Sequence, residues 1–260
     1  MTGNRSGPGV QQTDRPAVRP IVPSDLTTFI AAIRSHDEQA GAQCIRHLID
    51  AGAAVDTVYL DLIAPAAREL GTMWENDDCD FVEVTVALGR MQRLLRDLSQ
   101  LFLADAGQTE PVGNILLTCI PGEQHTLGII MVGEFLLRDG WRVLVGAPWT
   151  EGDLLTMVGT EWYDVIGFSV GSEQRLSMLR RDIRRLRAAS RNPHVQIMVG
   201  GQVFSDEPEL AQSVGADAIA DSAREAPRVA HTLLASARAA QARHVGTVSG
   251  RDVREARARD

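Results

Sequence analysis

The sequence contains no lysine, so arginine supplies all 26 of its basic residues. Acidic residues number 34, and the resulting formal net charge of −8 argues against a general nucleic-acid binder, which is usually basic. Aromatic residues are also scarce, at 5% of the chain, whereas hydrophobic residues as a whole reach 44%. That proportion is ample for a folded core in a chain of 260 residues.

Cysteine and long apolar runs are likewise few. The three cysteines, Cys44, Cys79 and Cys119, are odd in number and far apart, so we expect neither a disulfide framework nor a cysteine zinc site. No run approaches the roughly 18 apolar residues that a membrane span needs. The first 23 residues contain no apolar core of the kind found in signal peptides. These absences predict a cytoplasmic protein with no membrane partner.

The common catalytic signatures are missing too. The sequence has neither a phosphate-binding G-x-x-x-x-G-K-S/T loop nor a Rossmann G-x-G-x-x-G turn, and it suggests no Ser-His-Asp arrangement. We therefore expect a protein that is not an enzyme in its own right. Any chemistry would have to come from a cofactor.

The first half of the chain has a helical period. Residues 1–23 are rich in Gly, Pro, Arg and Gln and are expected to be disordered, whereas residues 24–104 predict an antiparallel four-helix bundle. The third helix should begin at about Asp56. The fourth carries an apolar seam with alternating spacings of three and four, formed by Phe81, Val84, Leu88, Met91, Leu95, Leu98 and Phe102.

The second half has a different period. After a linker at residues 105–112, residues 113–240 alternate short apolar runs of strand type with helical segments. This alternation predicts a flavodoxin-like, Rossmann-type five-stranded parallel sheet with the strand order 2-1-3-4-5. The helical segments are expected at 125–139, 151–160, 175–190 and 207–214, and from about Arg224. Residues 241–260 should be a frayed helix or disordered.

Three unusual loops follow the first, third and fourth predicted strands, and the first of them lies within "IPGEQHTLGI" (120–129). In such sheets ligands bind beyond the carboxyl ends of the strands, so the loops should form one pocket for a long ligand inserted end-on, with the imidazole of His125 at its mouth. The candidate binding residues are Glu123, Gln124, His125, Thr126, Leu127, Gly128, Ser169, Val170, Gly171, Gly200, Gly201, Gln202, Val203 and Phe204.

The three loops resemble the motif of the cobalamin-binding domain, D-x-H-x-x-G followed by S-x-L and then G-G. Residues 123–128, 169–171 and 200–201 stand in these places. The resemblance implies that His125 is the lower axial ligand of cobalt and that the benzimidazole of cobalamin is displaced into a slot in the sheet. Glu123 replaces the motif's Asp and could orient the imidazole, and Gly171 replaces its Leu.

Two longer stretches, "LGTMWENDDCDFVEVTVALGRMQRLLR" and "GEQHTLGIIMVGEFLLRDGWRV", resemble the AerR/PpaA group of photosynthesis regulators. That resemblance implies a light-responsive antirepressor that binds adenosyl-, methyl- or hydroxocobalamin and reaches DNA only through a separate DNA-binding transcriptional regulator. Trp74 would pack over the upper ligand of cobalt. Light sensors of the CarH type have Glu-His after the corresponding Trp, with nine residues between, whereas this chain has Val84 and Thr85 in those places.

Several alternatives remain open from the sequence. A corrinoid subunit of a methyltransferase would share the bundle and the lower histidine, and some homologous domains bind haem instead. His47, or His36 at a helix junction, could approach cobalt from above, although His47 looks structural. Seven arginines in residues 175–191 form a basic helix face, which we interpret as solvated in preference to a surface that binds phosphates or an acidic partner.

Overall fold

The computed structural model of the chain describes residues 19–104, 110–120, 126–146 and 149–257, with side chains as far as residue 242. Its N-terminal part consists of four helices, in agreement with the predicted fold class. They are α1 (Pro23–Arg34), α2 (Ala40–Asp50), α3 and α4 (Phe81–Leu103), where α3 comprises the consecutive segments Val55–Thr57, Val58–Ile63 and Ala64–Glu75. The middle segment of α3 is π-helical, a rare form that occurs frequently at functional sites.

The start of α4 is specified by a capping box. The carboxylate of Asp80 accepts a hydrogen bond from the backbone N–H of Glu83 at 2.8 Å, and the Glu83 carboxylate accepts one from the Asp80 N–H at 3.1 Å. From Met91 onward the predicted seam is buried. The prediction is wrong for Phe81, which is 65% exposed because it does not face the core of the bundle.

The chain is ordered earlier than predicted. The guanidinium of Arg19 pairs with Asp25 at 3.0 Å, its backbone N–H bonds to the carbonyl of Gly52 at 3.1 Å, and α1 begins at Pro23. These contacts correct the expectation of disorder for residues 19–23. Residues 1–18 of the predicted tail, and residues 105–109 of the predicted linker, lie outside the described residues.

The C-terminal part is a parallel sheet in the predicted order, β2-β1-β3-β4-β5. The strands are β1 (Asn114–Cys119), β2 (Arg142–Gly146), β3 (Val165–Ser169), β4 (Gln196–Gly200) and β5 (Ala218–Ile219). The helices are α5 (Leu127–Arg138), α6 (Glu151–Thr160), α7 (Leu176–Ala189), α8 (Gln202–Asp206), α9 (Leu210–Val214) and α10 (Ala226–Arg257). The short α8 was not predicted, and the expected boundary at residue 240 lies inside α10.

Helix α5 belongs to both halves of the molecule, because it covers the sheet on one side and the bundle on the other. The ring of Phe102 on α4 stacks on Tyr59 of α3 with centroids 4.8 Å apart and meets Phe135 of α5 edge-on at 4.9 Å. The guanidinium of Arg138 lies 4.6 Å from the centroid of the Phe102 ring. This aromatic cluster joins the bundle to the α/β domain. Within the described residues, no helix is long and apolar enough to cross a membrane.

Candidate functional site

The three loops singled out by the sequence leave the sheet side by side. Cys119, the last residue of β1, is paired in register with Ser169 at the end of β3, and Ser169 is paired with Gly200 at the end of β4. All three strands are parallel, so their loops begin at the same carboxyl edge. The predicted meeting of the loops at one edge is confirmed.

The predicted metal ligand His125 and its neighbours Glu123 and Gln124 lie outside the described residues, between Thr126 and Ile120, the latter of which is buried. The role of His125 as a cobalt ligand stays a prediction.

A cavity of about 500 Å³ opens at the same edge, between the bundle and the α/β domain. Helix α3 lines one side, and the first turns of α5, the strand ends and the segment between β5 and α10 line the other. From α3 and α5 it is lined by Leu60, Asp61, Ala64, Arg68, Gly128, Ile129, Met131 and Val132. From the sheet and its loops it is lined by Leu117, Gly167, Phe168, Ser169, Met198, Val199, Gly200, Gly201, Gln202, Ser205, Ala220, Asp221, Ser222, Ala223 and Arg224.

Five of the predicted binding residues line this cavity, namely Gly128, Ser169, Gly200, Gly201 and Gln202. The other described candidates do not line the cavity, and contact with a ligand stays a prediction for them. Leu127 is buried in the core of the bundle, and Val170 and Phe204 are buried in the core beneath α6 and α7. Val203 is also buried. Each of these four adjoins a lining residue in the chain, and neighbouring residues on a helix or strand point in different directions. Thr126, Gly171 and Trp74 do not line the cavity either.

Sequence reasoning missed the contribution of α3 and of the last loop. Asp61, Ala64 and Arg68 follow one another at spacings of three and four, which places them on one side of α3. Polar residues at this spacing are typical of a solvent-exposed helix face, so the sequence carried no signal of a cavity. Asp221 and Arg224 follow a strand of only two residues and matched no motif.

The cavity reaches below the strand ends into a slot. Leu117, Gly167 and Met198 are paired across β1, β3 and β4, two residues before the strands end, or about 7 Å deeper at 3.3 Å per residue. A Cβ at Gly167 would lie 2.6 Å from Cδ2 of Leu117 and 3.4 Å from Cε of Met198. The slot therefore depends on the absence of a side chain at position 167. Its apolar walls suit a flat aromatic group.

Two other glycines at the site have different roles. Gly201 has a φ of +108°, and a Cβ there would lie 2.2 Å from the carbonyl oxygen of Val170, so the fold itself requires glycine. Gly128, by contrast, has no atom of the described residues within 4 Å of the position that its Cβ would take. Because Gly128 lines the cavity, a side chain there would point into the space available to a ligand.

The bundle overhangs the carboxyl edge of the sheet. On α4, Gln92 bonds to Thr126, the residue before α5, and Ser99 bonds to Glu134 of α5, so the two helices run in the same direction. Residues 81–91 of α4, the overhang, extend beyond Thr126 by about 16 Å at 1.5 Å per residue. Phe81 lies eleven residues, close to three helical turns, before Gln92 and therefore on the same side of α4. This geometry explains its 65% exposure.

Trp74, at the other side of the corner between α3 and α4, is 50% exposed. Single exposed apolar residues are common, but Phe81 and Val86 on α4 are exposed as well, and a group of such residues marks a binding surface. The overhang therefore presents an uncovered apolar face beside the cavity. A broad planar ligand held by the strand loops would cover it, and the slot and the overhang together fit a corrin with a pendant base.

Neither of the two histidines on the bundle lies at the cavity. His47 lies exposed on α2, His36 lies at the junction of α1 and α2, and neither lines the cavity. Among the described residues, no group of three side chains suited to bind a metal ion comes together. A corrin requires only an axial ligand from the protein, because its own ring nitrogens hold the cobalt.

The basic face of α7 is largely neutralised by its neighbours. Arg187 pairs with Asp217 at 2.6 Å, Arg181 with Asp182 at 3.3 Å, and Arg185 with Glu151. Burial raises the pKa of Asp182, and the nearby guanidinium of Arg181 opposes this rise. Arg180 and Arg184 make no ion pair with the described residues. These pairs agree with a solvated helix face.

Comparison with known proteins agrees with this geometry. Two families, each described as a B12 binding domain, match residues 113–230 and 26–98. An uncharacterised 20.5 kDa protein from the bchF–crtJ intergenic region of Rhodobacter capsulatus is 32% identical over 166 residues, which cover 64% of this chain and 85% of that protein.

A solved structure of a corrinoid protein resembles the chain in fold. The monomethylamine corrinoid protein of Methanosarcina barkeri has a TM-score of 0.70 at 16% identity, covering 81% of this chain and 98% of its own. A cobalamin-binding protein of Desulfitobacterium hafniense has a TM-score of 0.43 at 17% identity, covering 80% and 98%.

Proposed function

This chain belongs to the B12-binding protein family, and from that membership we propose a light-responsive cobalamin-binding regulator of the antirepressor type. It acts on transcription through a separate DNA-binding partner and is not itself an enzyme. Cobalamin binding follows from the family. The light response and the partner are our proposal.

The observation that carries the proposal is the cavity at the carboxyl edge of the sheet, between the bundle and the α/β domain. The loops of β3 and β4 supply a small hydroxyl at Ser169 and two glycines, and α3 closes the cavity from the other side. Phe81 and Trp74 lie exposed on the bundle, where the upper face of a bound corrin would meet them. The bundle would therefore be the part of the protein in direct contact with any change on that face.

Bound cobalamin supplies a cobalt whose upper ligand can be cleaved or exchanged by light. The residues of this chain would do the rest. His125 would bind cobalt from below, and Glu123 would accept a hydrogen bond from its other ring nitrogen and fix its tautomer. The slot at Gly167 would hold the displaced base. The overhang would exclude water from the upper face and change its packing when that face changes.

The proposed output is a protein contact. The name of the Rhodobacter capsulatus relative places its gene between bchF and crtJ, in a photosynthesis gene cluster, and this supports a role in photopigment regulation. The net charge of −8 disfavours direct contact with DNA phosphates. We propose that the bundle, which meets the upper face of the cofactor, presents the light-dependent surface to a transcriptional regulator.

The first experiment tests the cofactor and its ligand. Purified apoprotein is mixed in dim red light with hydroxocobalamin or, separately, adenosylcobalamin, desalted, and its absorption spectrum is recorded before and after green or blue illumination. We expect retained corrinoid with a histidine-ligated spectrum, and loss of that spectrum in His125→Ala. A colourless protein, or one that takes up haem, would contradict the cofactor assignment.

The second experiment tests the output. The loaded protein, kept dark or illuminated, captures DNA-binding regulators from extracts of its host, and the affinity of each captured regulator is then measured in both states. We expect a difference between the two states that His125→Ala abolishes. Equal affinity in the dark and in the light would remove the light-responsive part of the proposal.

The methyltransferase alternative predicts a different result. A corrinoid carrier must cycle through a reduced, nucleophilic cobalt, so its loaded form should accept a methyl group from a donor enzyme after reduction. The likeness to the Methanosarcina barkeri corrinoid protein lies in the fold and carries no activity to this chain. Methyl transfer in such an assay would favour the carrier over the sensor.

A further inference from the structure

Thr126, the residue before α5, makes an unusual hydrogen bond. A threonine at the N-cap of a helix usually accepts a bond from a backbone N–H in the first turn of its own helix. Here the Thr126 side chain makes no such bond. Its hydroxyl instead accepts a hydrogen bond from the side-chain Nε2 of Gln92 on α4, at 2.9 Å. Thr126 therefore bonds to the bundle and does not cap α5, a helix of the α/β domain.

This bond lies where the overhang begins. The other contacts between α4 and α5 lie farther along both helices, at Ser99 with Glu134 and at Phe102 with Phe135 and Arg138. Among the described residues, no side-chain hydrogen bond joins α4 to α5 closer to the free end of the overhang. Two residues after Thr126, Gly128 is already part of the cavity wall. Gln92 therefore stands between the overhang and the ligand site.

We propose that Gln92 is a positioning residue that holds the overhang of α4 in place, through its hydrogen bond to Thr126, at the edge where the cavity opens. Thr126 has helical backbone angles, φ −91° and ψ −14°, and not the extended angles of a capping residue. Its hydroxyl is therefore available to Gln92.

The consequence for the site rests on the proposed function. If the ligand is cobalamin, the overhang covers its upper face, and Gln92 slows the release of the cofactor without contacting it. The hydrogen bond itself does not depend on the identity of the ligand. The two claims can therefore be tested separately.

The variants are chosen in matched pairs. Gln92→Leu removes the amide at similar size, whereas Gln92→Glu keeps an acceptor to which the Thr126 hydroxyl can donate. Thr126→Val removes the hydroxyl and Thr126→Ser keeps it. Ser99→Ala is the control, because it removes the other hydrogen bond of the same interface.

The first measurement is amide hydrogen exchange in the full-length protein without cofactor. Loss of one hydrogen bond predicts exchange about 2- to 10-fold faster over residues 81–91 in Gln92→Leu and in Thr126→Val. Gln92→Glu, Thr126→Ser and Ser99→Ala should exchange in this segment like the wild type. The double variant Gln92→Leu/Thr126→Val should equal either single variant. Unchanged exchange in both loss variants, or additive effects in the double variant, would overturn the proposal.

The second measurement is the release of hydroxocobalamin after dilution into a competing apoprotein. We expect release about 2- to 10-fold faster from Gln92→Leu than from the wild type, restored by Gln92→Glu. Equal release from wild type and Gln92→Leu would overturn the positioning role at the site. If the wild type binds no cobalamin, the proposed function fails, whereas the exchange result still decides whether Gln92 holds the overhang.

Discussion

The hydroxyl of Ser99 on α4 donates a hydrogen bond of 2.7 Å to the carboxylate of Glu134 on α5. This pair lies in the interface between the bundle and the α/β domain. Burial raises the pKa of Glu134, and the hydrogen bond from Ser99 opposes the rise only in part. An ionisable group is thus kept in the interface on which the position of the bundle depends.

The pH dependence of stability should report this pair. Because the pKa of Glu134 is higher in the folded than in the unfolded protein, the folded state binds more protons, and stability falls as pH rises from the unfolded pKa through the folded one. Glu134→Gln should therefore melt at a higher temperature than the wild type near pH 8, and the difference should shrink toward pH 4. A difference that grows toward pH 4 would contradict this assignment.

Two glycine substitutions should separate the fold from the site. At Gly201 the positive φ and the close approach of the Val170 carbonyl both oppose a side chain. The backbone alone costs about 1–2 kcal/mol, so Gly201→Ala should melt several degrees lower, and cofactor uptake should fall with it. Calorimetry of the apoprotein gives the first result, and absorption after desalting gives the second.

Gly128→Ala is the substitution to compare with Gly201→Ala, because it changes a glycine of the cavity wall that the fold does not require. No atom of the described part of the chain lies close to the added methyl group, and alanine favours the helix, so the melting temperature should stay the same or rise slightly. Cobalamin affinity should nevertheless fall, because the methyl group enters the cavity. Unchanged affinity would show that the cofactor does not approach the first turn of α5.

Phe81→Ala should weaken cobalamin binding while leaving the apoprotein as stable as before. Covering part of a phenyl ring is worth about 1–2 kcal/mol, which corresponds to a roughly 5- to 30-fold loss of affinity. Val82→Ala is the control, because Val82 is equally exposed, at 65%, but points about 100° away around α4. Titration followed by absorption measures both variants. Equal losses would argue against the overhang as the cover of the corrin.

Charge reversal on α7 tests the basic face. Arg180→Glu/Arg184→Glu changes the two arginines that pair with no described acid, so stability should change by no more than about 0.5 kcal/mol. We expect the binding of any captured regulator to remain the same. A clear loss of that binding would identify α7 as the partner surface and overturn our interpretation of a solvated face.

Much of the fold was predictable because its signals are local. The change from a helical to a strand period marked the passage from bundle to sheet, and the apolar seam from Met91 to Phe102 is buried as expected. The loops after β1, β3 and β4 could be predicted to meet because parallel strands end at one edge. Phe81 was wrongly assigned to the seam. The apolar spacing continues to the first residue of α4, where the helix no longer faces the core of the bundle.

What the sequence determined by itself was the fold class, the strand order and the motif that assigns the cofactor. The fold class follows from local periodicity, the strand order from the rules of parallel sheets, and the motif from three short segments, each of which is local. Tertiary structure alone decided the rest of the site. Asp61 and Arg68 line the cavity because the bundle docks across the sheet edge, and Gln92 reaches Thr126 because α4 and α5 lie side by side. Contacts between segments far apart in the chain follow from how two folded layers pack, and no local pattern encodes them.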